Sequence, residues 1–327
     1  MADMKAVVVT EFGDENVLVC RPAPVPEPAE GEVRVRMRAA GVNPVETYIR
    51  SGNYGTLPKL PYIPGNDGAG VVDKVGPGVE GLAPGQRVFV IAALAARCSG
   101  TYAQYAVCDA GSVRPLPESM SFAEGAGLGT PALAAVYGLF FKARIQPGEV
   151  VLIHGAAGGV GSLAVQLARR AGAVVFGTAG NPEGEEMLRG LGVHKVFNHR
   201  RDGYPEQIVK ESQGRGPDVI IEVMANVNLV KDLAMLAKYG RIVVIGNRGS
   251  LDFNPRTAMV KDAVISGLMI NNMSPADFKA AMFLLAAALE SGLKVTVDGE
   301  FKLEAAPQAH SRVLEDQKRG KIILSID

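Results

Sequence analysis

The residues of this chain best suited to chemistry form one run, His154-Gly155-Ala156-Ala157-Gly158-Gly159-Val160-Gly161, between an apolar stretch and an amphipathic one. Gly158 has no side chain, so the backbone there can approach a pyrophosphate closely. The N–H groups and dipole of a following helix favour the negative charge. Gly161 lets that helix pack tightly on the preceding strand. Ala156 stands where GxGxxG has its first glycine, so the run is a variant of that pattern. A site that selects NAD carries Asp or Glu about 20 residues further on, at the end of the second strand, for the ribose 2′-OH. Here that place reads Gly177-Thr178-Ala179-Gly180-Asn181 and has no acid. His199, Arg200 and Arg201 follow the third strand and offer positive charge to a 2′-phosphate. The expected cofactor is NADPH. The remaining candidates are sparse. Cys20, Cys98 and Cys108 form no CxxC, and their odd number argues against a disulfide framework. Four histidines add little, so no metal site is expected. His194 reads as plain surface, and His310 as the surface of a helix.

The glycine loop needs a buried strand before it and a helix after it. Val150 to Ile153 supplies the strand. Gly158 to Arg170 supplies the helix, with Val160, Leu163, Ala164, Leu167 and Ala168 on one face and Gly172 past its end. The alternation continues with strands Val174 to Gly177, Lys195 to Asn198, Asp218 to Val223, Arg241 to Gly246 and Val264 to Ile270. Helices are expected over Pro182 to Gly190, Pro205 to Glu211 and about Leu229 to Lys238. Such a pattern requires a parallel sheet with crossover helices on both faces. The segment before it differs. Met4 to Thr10, Glu32 to Ala39, Ala69 to Val75 and Arg87 to Ile91 read as short strands separated by Gly and Pro, a small barrel or sandwich. After about residue 271, Ser274-Pro275 opens a helix to about Ser291. A helix from Pro307 and a strand from Lys321 to Ile326 end the chain. The expected class is α/β, with a mostly-β domain over 1–122, a nucleotide-binding domain over 123–271, and a segment over 272–327.

Composition fits this reading. The 327 residues are 47% hydrophobic, which suits two globular domains and excludes wholesale disorder. Thirty-four basic residues balance thirty-four acidic ones, so no global field draws in nucleic acid or anionic lipid. No apolar run reaches the ~20 residues of a membrane helix. The N-terminus carries a strand pattern and no signal peptide. The cytoplasm is the expected compartment.

Two further stretches carry a resemblance. They are Gly41-Val42-Asn43-Pro44-Val45-Glu46-Thr47-Tyr48-Ile49-Arg50-Ser51-Gly52 and Pro64-Gly65-Asn66-Asp67-Gly68-Ala69-Gly70. With the glycine loop, they make the chain similar over essentially its whole length to the medium-chain dehydrogenase/reductase superfamily. The branch most resembled is that of the quinone oxidoreductases of ζ-crystallin type. Val196-Phe197-Asn198-His199-Arg200 and Ala225-Asn226-Val227-Asn228-Leu229 are also specific to it. The resemblance implies a GroES-like catalytic domain, an inserted Rossmann domain, and a C-terminal segment that returns to the catalytic domain. It implies NADPH contacts at Tyr48, Ala157, Gly158, Gly159, Val160, Gly180, His199 and Asn228. They continue at Ile245, Gly246, Asn247 and Arg248, then at Leu268, Met269 and Ile270. Related alcohol dehydrogenases take catalytic zinc on a Cys and a His from the two matching segments. Here Asn43 and Asn66 stand there, with Asp67 beside them, and neutral amides are poor zinc ligands.

The implied activity is zinc-independent reduction of quinones, ortho-quinones by one-electron transfer among them, with NADPH-dependent reduction of alkenals or enones as the alternative. Asn43, Tyr48 and Tyr54 are the candidate contacts to the acceptor. A crystallin or AU-rich RNA-binding role also comes with the resemblance. Neutral charge and the lack of interleaved aromatic and basic residues argue against RNA as the main partner. The strand Val264 to Ile270 falls where members of this family pair edges, so a homo-oligomer, dimer or tetramer, is expected. Cys98 lies in a stretch of small residues, Ala92 to Gly100, and reads as a bland loop cysteine.

Overall fold

The computed structural model describes residues 2–316 and 318–327. Its strands, in chain order, begin with β1 (Asp3–Val8), β2 (Val19–Pro24), β3 (Glu32–Val42), β4 (Asp67–Val75), β5 (Arg87–Ile91), β6 (Tyr105–Asp109) and β7 (Val113–Pro115). Then come β8 (Val150–Ile153), β9 (Val174–Ala179), β10 (Lys195–Asn198), β11 (Val219–Glu222), β12 (Arg241–Val244) and β13 (Val264–Gly267). The last are β14 (Val297–Lys302) and β15 (Lys321–Ser325). The helices begin with α1 (Pro44–Arg50), α2 (Phe122–Ala126), α3 (Gly129–Val136), α4 (Gly159–Arg170) and α5 (Pro182–Gly190). They continue with α6 (Tyr204–Glu211), α7 (Ala225–Met235), α8 (Arg256–Val260), α9 (Pro275–Glu290) and α10 (Ala306–Arg312). None of the described helices is long and apolar enough to cross a membrane.

The chain forms two units. The first comprises residues 1–130, 295–315 and 321–327, and the second 131–294 and 316–320. Beside the sequence-derived division at 122/123 and 271/272, these units divide at 130/131 and 294/295. Helix α9 stays with the second unit, and the return to the first begins only at Val295. Ser274 opens α9 as its pattern predicts, accepting a bond from Asp277 N at 3.1 Å.

In the first unit the strand order is β14-β15-β3-β4-β5-β7. Long strand β3 is its spine. One edge pairs with β4, and the other is shared between β6, against 32–36, and β15, against 39–42. Inward-facing Val33 and Val35 are fully buried with Val72, Val88, Val90 and Tyr102, and the late strand β15 adds Ile322 and Leu324 to this core. In the second unit six parallel strands lie in the order β10-β9-β8-β11-β12-β13, so β8 is central and the order reverses between β8 and β11. Both faces of β8 and β11 are covered, which explains their apolar runs such as Val150–Ile153. Leu152, Phe176, Ile220 and Ile242 form the core beneath α6 and α7 with Ile208 and Leu233. Strand β13 is shorter than its pattern predicts. It ends at Gly267, and Ile270–Asn272 form a short 3-10 turn.

Candidate active site

A parallel sheet brings all strand ends of one kind to one edge. In the second unit Ala157 to Val160, Gly180, His199 and Arg200, Ile245 to Arg248, and Leu268 to Ile270 each follow the carboxyl end of a strand. Asn228 lies in the first turns of α7, just beyond β11. That edge, at a reversal of strand order, is where open α/β sheets bind ligands. Gly158 is the N-cap of α4 and has no side chain to cap the first turn. A Cβ on Gly161 would lie 2.4 Å from Gly155 O and 2.6 Å from Ala156 Cα, so glycine is required for the helix to meet the loop. The loop is further held by Gly320 N, which donates to Ala157 O at 2.7 Å.

At the end of β9 a Cβ on Gly180 would approach His199 Cε1 and Nε2 at 3.0 Å and Arg200 Nε at 3.2 Å. The structure thus gathers Gly180, His199 and Arg200, and Arg200 is ion-paired at 3.1 Å with exposed Asp316. Asn181 spends its side chain on capping α5, accepting from Gly184 N at 2.8 Å. After β12, Asn247 Oδ1 accepts from Asn226 N and Arg248 N donates to Asn226 Oδ1, which fixes that turn. These features fit a dinucleotide: a helix N-terminus open to a phosphate, a glycine cradle, and the Arg200 guanidinium beside the second strand, with His199, which burial pushes below its ordinary value, next to it.

Behind the loop lies a buried cluster that the sequence reading missed. His154 Nε2 and Asp232 Oδ1 are 2.8 Å apart, and Glu222 Oε2 is 3.7 Å from the same nitrogen. Burial pushes His154 below its ordinary value, so the ring is neutral and its Nε2–H donates to Asp232. Its Nδ1 faces Thr178 Oγ1 at 3.4 Å, and that hydroxyl oxygen accepts from Gly155 N at 3.2 Å. The chain of bonds ends on the glycine loop. Three ligand-type atoms within 4.8 Å of one another have metal-like spacing, but the His154 nitrogen is engaged with Asp232. Burial pushes both Glu222 and Asp232 up to about 7.

Unfolded carboxyls release their protons near pH 4, whereas the folded pair stays protonated until about pH 7. This cluster therefore stabilises the fold most at low pH. The contribution is lost as pH rises toward 7, at up to ~1.4 kcal/mol per pH unit for each proton. Glu222→Gln, whose amide does not titrate, is expected to flatten that fall. Urea unfolding between pH 5 and 8 measures it, and equal slopes in variant and parent would show that Glu222 does not carry the raised titration.

In the first unit the two segments of the resemblance meet around a lysine. Lys321 leads β15, is 4% exposed, and places Nζ 3.1 Å from Asp67 Oδ2 and in hydrogen-bond contact with Asn43 Oδ1. Asp67 Oδ2 also accepts from Asn43 Nδ2 at 2.7 Å, and Oδ1 accepts from Thr130 N and Oγ1, each at 2.7 Å. Glu46 joins them. Its Oε2 accepts from Asn43 N at 2.8 Å and from Tyr102 OH at 2.7 Å, and its Oε1 from Asn66 N at 3.0 Å. Burial pushes the Glu46 carboxyl up, Asp67 adds to this, and Lys321 opposes it. His310 Nε2 lies 3.2 Å from Tyr102 OH and ends the network. The ring is fully buried, which pushes it down to about 3.

One expectation changes here. His310 is core and not helix surface, because α10 turns that face onto Tyr102. Asn43 is 5% exposed, and its amide bonds to Asp67, Glu46 and Lys321 within the internal network. Tyr48, on α1, and Tyr54 are both half-buried. Glu46, Tyr102 and Lys321 were missed as network members. One signal was available: Asn43-Pro44-Val45-Glu46 has capping-box spacing, and the structure forms that box. The residues present do not fit zinc. Asn43 and Asp67 offer no thiolate or imidazole, and a buried ammonium lies between them.

Known proteins place this architecture. Residues 29–118 match the family model "Alcohol dehydrogenase GroES-like domain", and 159–287 match "Zinc-binding dehydrogenase". Quinone oxidoreductase of Rattus norvegicus is 43% identical over 324 residues, covering 98% of this chain and 97% of that one. A solved NAD-dependent alcohol dehydrogenase is 31% identical with a TM-score of 0.91, over 99% of this chain and 100% of that one. A mycobacterial protein solved with NADPH is 26% identical with a TM-score of 0.88, over 99% of this chain and 100% of that one.

Proposed function

The chain belongs to the quinone oxidoreductase branch of the medium-chain dehydrogenase/reductase superfamily, and from that premise we propose that it is a zinc-independent NADPH:quinone oxidoreductase. The observation that carries the cofactor is the grouping of His199 and Arg200 at Gly180, with no acid at the end of β9; a bound 2′-phosphate would take Arg200 from its exposed partner Asp316. The glycine loop and the first turn of α4 hold the pyrophosphate. Asn228 and the turn from Ile245 to Arg248 flank the rest of the dinucleotide. Lys321 stands in for a metal's positive charge, so zinc has no part in the reaction.

Bound NADPH supplies reducing equivalents. The protein positions the acceptor and stabilises negative charge on its oxygen, for which Tyr48 and Tyr54 are the phenolic donors. A quinone needs no dedicated general acid, because its reduction restores aromaticity. NADPH and NADH oxidation, followed side by side with 1,2-naphthoquinone and with a simple enone, tests this. Turnover of the quinone with NADPH strongly preferred is expected, and a chelator leaves the rate unchanged. Tyr48→Phe is expected to lower kcat/KM about tenfold or more. Equal efficiency with NADH would overturn the cofactor reading, and turnover of the enone alone would favour alkenal reduction. An unchanged Tyr48→Phe enzyme would remove that phenol from the mechanism.

A further inference from the structure

Cys98 and Cys108 stand opposite each other as an antiparallel pair. On one side of them Ser99 N donates to Val107 O at 2.9 Å, and on the other Asp109 N donates to Arg97 O at 3.1 Å. The cysteines thus occupy the position between two ladder bonds where facing Cα atoms approach to about 4.5 Å and the side chains lie closest. That spacing is within the range a disulfide spans without backbone movement. Their sulfurs are already 2.8 Å apart. Cys98 is half-buried, and Cys108 is fully buried in the core of the first unit. A peroxide therefore meets Cys98 first, with Cys108 behind it.

We propose that Cys98 and Cys108 are a peroxide-sensitive dithiol that closes to an intrachain disulfide. The Cys98 thiolate attacks a hydroperoxide. An S–O bond forms, the O–O bond breaks, and the released hydroxide or alkoxide takes a proton. Cys108 then attacks the Cys98 sulfenic acid. The S–S bond forms, the S–O bond breaks, and water leaves with the Cys108 proton. Two thiols lose two electrons, and the peroxide gains them. The roles follow the surroundings: the hydrogen bond with Cys108 lowers the Cys98 thiol, while Cys108 is held well above its ordinary value. Cys20, on β2, is raised by burial and takes no part. The bond would pin the stretch 92–100 to β6.

The test uses the full chain with hydrogen peroxide. Thiol titre is expected to fall from three to one per chain. Trypsin cuts after Arg97 and next after Lys142, because Pro115 blocks cleavage at Arg114, so both cysteines fall in one peptide, which should lack two hydrogens and resist alkylation until dithiothreitol is added. Cys98→Ser should keep Cys108 alkylatable under the same treatment. A titre that stays at three would overturn the proposal. So would Cys98 recovered as sulfinic acid beside an alkylatable Cys108, or linkage through Cys20.

Discussion

Lys321→Met is expected to destabilise the first unit by about 3–5 kcal/mol, the cost of breaking a buried ion pair by removing one partner. Asp67 is fully buried and Glu46 nearly so, and the Lys321 ammonium is the cation that faces them. Without it, Asp67 keeps only neutral donors, from Asn43 and Thr130. Methionine matches the length of the stem, so the loss is chiefly one of charge. The double variant Asp67→Asn/Lys321→Met removes the stranded carboxylate and is expected to recover more than half of the loss. Urea unfolding followed by circular dichroism checks both. A single-variant loss under ~1 kcal/mol would mean that the neutral donors suffice for Asp67.

The second large effect concerns the glycine loop. In Gly161→Ala the new methyl carbon would lie 2.4 Å from Gly155 O and 2.6 Å from Ala156 Cα, both backbone. Neither can rotate away, so α4 must retreat from the loop. Overpacking of this kind costs about 1–3 kcal/mol, and each 1.4 kcal/mol is a factor of about ten in affinity. A fall in NADPH affinity of ten- to a hundredfold is expected, together with a lower Tm. Gly158→Ala separates the two effects. Its methyl would meet only Gly155 O, at 3.2 Å, so Tm should change little while NADPH binding weakens. Fluorescence titration and thermal unfolding read the pair. Gly161→Ala with unchanged Tm and unchanged affinity would show that the loop does not govern the site.

The second unit was legible because its signals are local. A buried parallel strand is an unbroken apolar run, and an adjoining helix shows a 3.6-residue period. Strands Val150–Ile153 and Lys195–Asn198 and helix Pro182–Gly190 accordingly fall where the pattern places them. The first unit hid its chemistry in distance. Lys321 meets Asp67 across 254 positions, and Tyr102 meets His310 across 208. Nothing in periodicity marks such partners, so His310 looked like surface. The destination of α9 was equally hidden, since an apolar helix face does not name the unit that covers it. The cluster at His154 left only a faint trace, a glutamate ending the apolar run Val219–Glu222.

The arrangement of β3 bears on how the molecule is made. Its edge from 39 to 42 pairs with β15, and the two are separated by the whole second unit. During synthesis, residues 131–294 emerge and can close their sheet while β3 still has half an edge bare. Until Lys321 leaves the ribosome, Asp67 has no counter-charge. The first unit is therefore begun first and finished last, and a nascent chain stalled before β15 should display a completed nucleotide-binding sheet beside an exposed, aggregation-prone strand.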